Sequence, residues 1–304
     1  MVTSARAAGY ALLGARFDYI LHLRPAEWPI LAAHTAVGYL LAVGVSEAPG
    51  AHLGSGLIGM LLWVVCLNGG TLALNSAFDR DEGDIAYLRK PPPPPRGLAV
   101  FSLALMGMGQ VAALLLPTGF VLAYAGCFVL SILYSVPPFR LKAVAGADWV
   151  INMWGFGTLT PYAGWATTGI PVDMARGLVL LAFCPLFAAL YPLTQLYQLD
   201  EDIRRGDRTL ASALGTVRSL DAAIGAAVIA LLLFVAAAVR AGWRLPGNVW
   251  RWTALGVAAL AWVLVLAPWR LRIEHLTPAD HQRGMYRALA AWAVTDIVVV
   301  FGWA

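Results

Sequence analysis

The chain has 304 residues, of which 60% are hydrophobic and only 12% charged, and its mean hydropathy is +0.71. A water-soluble domain carries about twice that charged share, so the composition excludes an ordinary soluble fold and implies a membrane protein. The net charge of +4 is too small for a nucleic-acid binder, and no nucleic-acid partner is expected.

Windows of about 20 apolar residues mark membrane spans. In chain order they predict nine: 27–47, 53–75, 98–116, 117–135, 148–169, 175–198, 219–240, 249–269 and 285–303. The expected fold is therefore all-α and polytopic, one transmembrane domain over 1–304 with a central cavity. Ahead of the first span, Arg6, Arg16, Asp18 and Arg24 punctuate the chain, so residues 1–26 do not read as a cleaved leader. Between the third and fourth spans, Pro117-Thr118-Gly119 predicts a tight turn. Pro91–Pro95 predicts a stiff extended strap. Cys66, Cys127 and Cys184 all fall inside spans without metal-type spacing, which reads as apolar packing.

Charge orients the spans. With the N-terminus in the cytoplasm, that side collects Arg6, Arg16, Arg24, Arg80, Arg89, Lys90, Arg96, Arg140, Lys142, Arg204, Arg205, Arg208, Arg218, Arg270, Arg272, Arg283 and Arg287. The other side keeps only Arg176, Arg240, Arg244 and Arg251. This asymmetry follows the positive-inside rule and places the C-terminus outside.

The acids cluster too. Asp79, Asp81, Glu82 and Asp84 follow the second span; Asp200, Glu201, Asp202 and Asp207 follow the sixth. Asn75 and Asp79 are four apart, as are Gln198 and Asp202, and side chains at that spacing share one helix face. The matching places suggest a weak repeat, spans 1–4 and 5–8, with a ninth helix added. Facing carboxylates repel unless a cation lies between them, and carboxylate and amide oxygens suit Mg²⁺ together with substrate phosphate. Arg89, Lys90, Arg140, Lys142 and Arg208 offer positive charge for such a phosphate. Acids, bases and an apolar cavity together imply a ligand with a phosphate head and a greasy tail.

Polar groups inside spans need a reason. His34, Asn68, Gln110, Asn152, Thr194, Gln195 and Asp296 are such groups, and Asn152 shares a face with Asp148. Among the aromatics, Trp154, Phe156, Tyr162, Tyr191 and Tyr197 are expected at the cavity, where π faces stabilise a cation.

The segment from Asn75 to Asp84, with Arg89 to Gly97 after it, resembles the first aspartate-rich motif of the UbiA family of intramembrane prenyltransferases. The run Tyr134 to Lys142 is similar to that family's Y-S-x-P-P-x-R-x-K signature. Gln198 to Leu210 is similar to its second motif, and Leu23-Arg24-Pro25 is a further short match. The chain departs from the pattern at Ser76, Gly83 and Gln198, each standing where the family has Asp.

The resemblance implies Mg²⁺-dependent transfer of a prenyl group from an isoprenyl diphosphate to an aromatic or lipid acceptor within the membrane. It assigns catalytic roles to Asn75, Asp79, Asp202 and Lys142. Metal binding falls to Asn75, Asp79, Asp81, Asp84, Gln198, Asp200 and Asp202. Substrate contacts fall to Arg89, Lys90, Tyr134, Arg140, Lys142, Asn152, Tyr197 and Arg208. An alternative on the same scaffold is a terpene cyclase that needs no acceptor. A transporter is a third class, though clustered acids at the membrane edge fit it poorly, since transport sites favour the midplane.

Overall fold

In the computed structural model the described residues are 2–79, 88, 90–199, 203 and 206–304, and among them helices carry almost all regular structure, with no sheet. Among the described residues seven helices are long and apolar enough to cross a membrane: Pro25–Val43, Leu53–Asp79, Thr118–Ser135, Met174–Gln195, Leu210–Arg240, Val249–Leu271 and Pro278–Trp303. The other two expected spans are helical but fall short of that measure. Leu98–Ala113 has 16 residues, a length of about 24 Å against a hydrocarbon core of about 30 Å. The fifth is broken into Ala147–Asn152, a π-helical Met153–Leu159, and Thr160–Ala166.

Large apolar side chains such as Leu57, Leu61, Leu115, Leu122, Leu232, Leu264 and Phe301 are exposed on the outer surface. In water such a surface would drive association; in a bilayer it is the solvated face. The chain is an integral membrane protein.

The Met174–Gln195 helix is the most enclosed. Val179, Leu180, Ala182, Phe183, Leu186, Ala189 and Leu193 are buried around its circumference, as expected for a helix apolar on all sides. The expected turn at Pro117–Gly119 forms: Pro117 ends the connection with extended backbone and the next helix begins at Thr118.

Small residues set the closest helix crossing. A Cβ on Gly38 would collide with the Pro161 carbonyl, and one on Gly164 with the Thr35 carbonyl. The Trp28–Val43 and Thr160–Ala166 helices therefore meet backbone to backbone, the usual device where lipid removes the hydrophobic drive for helix association.

Near this crossing, two of the polar span residues find each other. His34 Nδ1 lies 3.0 Å from Asp296 Oδ1, and His34 Nε2 lies 3.3 Å from the Gly157 carbonyl oxygen. The carbonyl only accepts, so a hydrogen on Nε2 suits it, while Nδ1 faces the carboxyl group of its partner. The His34 imidazole is packed edge-on against Phe183 and Trp292.

A second π-helical segment, Leu62–Gly69, interrupts the Leu53–Asp79 helix. Each π turn takes in an extra residue and rotates the faces that follow it; such segments gather at functional sites.

Candidate functional site

The Leu53–Asp79 helix delivers the first motif to one end of the bundle. Asn75 and Asp79 share a face, as their spacing predicts, and both turn toward Lys142. The Lys142 ammonium donates to Asn75 Oδ1 at 3.1 Å and forms an ion pair with the Asp79 carboxylate. Ser135 Oγ approaches the same amide oxygen at 3.5 Å.

Arg140 comes in beside them, with its guanidinium 3.8 Å from Asp79 and bonded to both oxygens of Asp207 at 2.6 and 3.4 Å. Its backbone is left-handed, with φ 37°, a conformation costing an L-residue about 1 kcal/mol. That turn lets the short helix Leu141–Ala143 swing Lys142 back over the bundle end. The Arg208 N–H donates to the Ala143 carbonyl at 3.3 Å, and Val144 and Arg208 form an isolated bridge. The signature around Arg140 and the segment of the second motif are thus joined.

Ser76 stands where the family pattern has Asp. It is buried, away from Lys142, and its Oγ faces the Arg24 guanidinium at 3.5 Å. Arg24 finds its carboxylate in Glu27, 3.7 Å away. With serine at this position, Asn75 and Asp79 still meet Lys142.

Behind the second motif lies a buried polar knot. Asp148, fully buried, accepts from Gly146 N at 2.9 Å, Gln195 Nε2 at 2.9 Å and Leu210 N at 3.0 Å. Gln195 Oε1 accepts from Ala211 N at 3.2 Å. A carboxylate at a helix N-terminus satisfies orphan N–H groups and opposes the helix dipole. Here it also pins the end of Met174–Gln195 to the start of Leu210–Arg240, and so holds both ends of the segment between them.

A cavity of about 220 Å³ opens beneath Asn75 and runs between Leu53–Asp79, Thr118–Ser135 and the broken helix after Ala147. Its walls are mainly apolar and aromatic, with Trp63 and Phe156 among them. Thr71 and Ser131 on the wall bond each other at 2.7 Å, and Trp63 Nε1 donates to Thr160 Oγ1 at 3.2 Å.

Of the sequence-predicted residues, Asn75, Asp79, Arg140 and Lys142 come together, and Tyr134 and Asn152 line the cavity. The Tyr134 hydroxyl meets that of Tyr191 at 3.0 Å, and Asn152 Nδ2 donates to the Asp148 carbonyl four residues back. Tyr197 and Gln198 are partly buried; the Gln198 N–H donates to the Gln195 carbonyl at 3.0 Å. Lys90 and Arg208 are exposed, and the Lys90 carbonyl accepts from Arg6 at 3.0 Å. Asp81, Asp84, Arg89, Asp200 and Asp202 lie outside the described residues. Among the described residues no three His, Cys, Asp or Glu side chains gather around one point.

Trp154 was expected at the cavity but is 40% exposed on the outer surface. It lies in the π segment, where a 3.6-residue count misplaces the face. Phe156 from the same segment does line the cavity. Asp207 and Asp148 were not singled out as site residues from the sequence. Asp207 sits in the second acid cluster, which is its signal; Asp148 gave only its shared face with Asn152.

The donors present suit a hard divalent cation. A carboxylate and an amide oxygen, four apart on one helix, converge on a positive charge, here the Lys142 ammonium. Mg²⁺ takes one or two protein carboxylates and fills its octahedron with water and phosphate oxygens, so Asn75 and Asp79 fit such a site.

The UbiA prenyltransferase family model matches residues 31–290. The chain belongs to this family. Among curated proteins, digeranylgeranylglyceryl phosphate synthase from Natronomonas pharaonis is 30% identical over 203 residues, covering 65% of this chain and 71% of that protein. Among solved structures, a UbiA homolog from Archaeoglobus fulgidus bound to geranyl diphosphate (GPP) and Mg²⁺ superposes with a TM-score of 0.65 at 21% identity, covering 93% of this chain and 99% of that one. A digeranylgeranylglyceryl phosphate synthase structure gives 0.68 at 14% identity, over 94% and 97%. These structural likenesses establish the fold: this UbiA chain shares the helical scaffold along nearly its whole length.

Proposed function

We propose that this chain is a Mg²⁺-dependent prenyltransferase that ionises an isoprenyl diphosphate and transfers the prenyl group to an aromatic or lipid acceptor within the membrane. The observation that carries the reading is the cluster of Asn75, Asp79, Arg140 and Lys142 at the mouth of an apolar cavity. Family membership and the Mg²⁺ and GPP bound by the Archaeoglobus relative support it. The name of the Natronomonas relative, a synthase of a glyceryl phosphate with two geranylgeranyl groups, supports an acceptor of lipid kind.

In this reading the diphosphate rests at the cluster and the hydrocarbon tail descends into the cavity. The allylic carbon–oxygen bond breaks, its electron pair leaves with the diphosphate, and the carbon joins the acceptor, which gives up a proton. Asn75 and Asp79 would hold Mg²⁺, which when bound would supply positive charge against the leaving group. Arg140 and Lys142 are preorganised to add to that stabilisation. Asp207 holds Arg140 in place through its two bonds. The apolar walls keep water from the allylic carbon, with Phe156 and Trp63 offering ring faces to its positive charge. The positive-inside asymmetry supports a cytoplasmic motif end and a C-terminus on the opposite side.

The test is turnover of GPP by purified protein in lipid nanodiscs. Diphosphate release should require Mg²⁺ and stop on chelation. Asp79→Ala and Lys142→Ala should each lower kcat by about 10²–10³-fold, the usual loss of one preorganised electrostatic partner. Metal-independent release, or full activity in Asp79→Ala, would overturn the reading. A cyclic hydrocarbon formed without acceptor would replace transferase by cyclase.

A further inference from the structure

Asn68 has no role in the chemistry above, yet it is the most anomalous side chain of the cavity. It sits in the π-helical segment Leu62–Gly69, lines the cavity, and is 6% exposed. Its Nδ2 is buried and has no hydrogen-bond partner among the described residues. The other hydroxyl and indole donors around it are satisfied: Thr71 bonds the Leu67 carbonyl at 2.8 Å and Ser131, and Trp63 bonds Thr160.

An amide left unpaired in a bilayer-spanning helix destabilises the fold, and polar groups at such depth commonly mark a ligand path. Asn68 lies on the same Leu53–Asp79 helix as Asn75, closer to its start. Both border the same cavity. A prenyl chain descending from the diphosphate site is hydrocarbon and gives Asn68 nothing to bond. The group that fits it is an oxygen of the second substrate.

We infer that Asn68 is the residue that selects the acceptor, donating a hydrogen bond from Nδ2 to an oxygen — hydroxyl, ether or carbonyl — on a molecule entering the cavity beside the prenyl chain. This deepens the prenyltransferase reading and rests on it. It commits the acceptor to an oxygen-bearing compound and excludes a hydrocarbon acceptor. Asn68 lies within the π segment Leu62–Gly69, and such segments gather at functional sites.

The experiment measures binding, apart from turnover. Wild type, Asn68→Leu and Asn68→Gln are placed in nanodiscs with Mg²⁺ and geranyl S-thiolodiphosphate, which does not ionise readily. Thermal shifts are recorded with 4-hydroxybenzoate, with a geranylgeranyl glyceryl ether phosphate and with squalene. At least one oxygenated probe should raise the wild-type Tm, squalene should not, and the apparent Kd for that probe should weaken at least tenfold in Asn68→Leu. Asn68→Gln, which keeps an amide donor, should retain part of the shift.

Without probes, Asn68→Leu should unfold about 2–4 °C higher than wild type, because the unpaired amide is gone. A structural asparagine would do the opposite. The inference is overturned if no oxygenated probe shifts the wild type, if squalene shifts it equally, or if Asn68→Leu responds as wild type does. Release of diphosphate from GPP is scored separately. Its loss in wild type would refute the prenyltransferase reading, whereas these outcomes concern Asn68.

Discussion

Removing the Asp148 carboxylate should loosen the site without touching it. Asp148 is buried and accepts from two part-buried backbone N–H groups and from the buried Gln195 amide, all within 3.0 Å. Asp148→Ala leaves these three donors, one buried and two part-buried, without their partner. At about 1–3 kcal/mol for each, and with partial relaxation, the loss is roughly 3–6 kcal/mol. For a chain of this size that corresponds to a fall in Tm of about 5–9 °C.

Asp148→Asn is the sharper variant. Gln195 uses both ends of its amide: Nε2 donates to Asp148 and Oε1 accepts from Ala211 N. An asparagine amide turned toward Gln195 would demand that Gln195 flip, and the flip would set its NH₂ against Ala211 N–H. An asparagine turned the other way faces the Gly146 N–H with a second donor. At least one mismatch survives in either orientation, and the Leu210 N–H adds a second when the amide turns toward Gln195, so the fall should be about 2 kcal/mol in the better orientation, near half that of alanine. The assay is thermal unfolding in nanodiscs followed by tryptophan emission, with KM for GPP measured well below the transition. KM should rise in both variants, because the segment between Gln195 and Leu210 loses its tether. A Tm within 2 °C of wild type for Asp148→Ala would refute the reasoning.

The His34–Asp296 pair should behave as a unit. Asp296→Leu and His34→Leu should each cost about 3–5 kcal/mol, and the double variant less than their sum, since apolar residues replace both partners. Additive losses in a double-mutant cycle would show that the pair is uncoupled. At the helix crossing, Gly38→Leu should abolish the folded peak in size-exclusion chromatography, because the side chain collides with backbone. Gly107→Leu, where nothing lies within 4 Å of the new Cβ, should elute as wild type; equal behaviour of the two would refute the crossing.

Much of the molecule was legible from its residues. Apolar runs located every long helix because a span must bury about 20 residues in hydrocarbon whatever surrounds it. The pairing of Asn75 with Asp79 was legible for a local reason too: four residues apart on a regular helix end fixes a common face. The convergence of Lys142 on both oxygens was not, because it depends on the left-handed turn at Arg140 and on which helices end side by side.

Trp154 shows where a placement read from the sequence stops working. It lies in a π segment, where one added residue rotates the helix surface. His34 and Asp296 are 262 positions apart, and nothing in either helix names the other as partner.

By itself, then, the sequence determined a helical membrane protein and the order in which its charged motifs leave the spans. Hydrocarbon imposes those features on each segment separately. Tertiary structure alone decided which polar side chains were paired across helices and which, like Asn68, were left facing a cavity. Those outcomes depend on how the helices turn toward one another, a choice made by packing over the whole bundle.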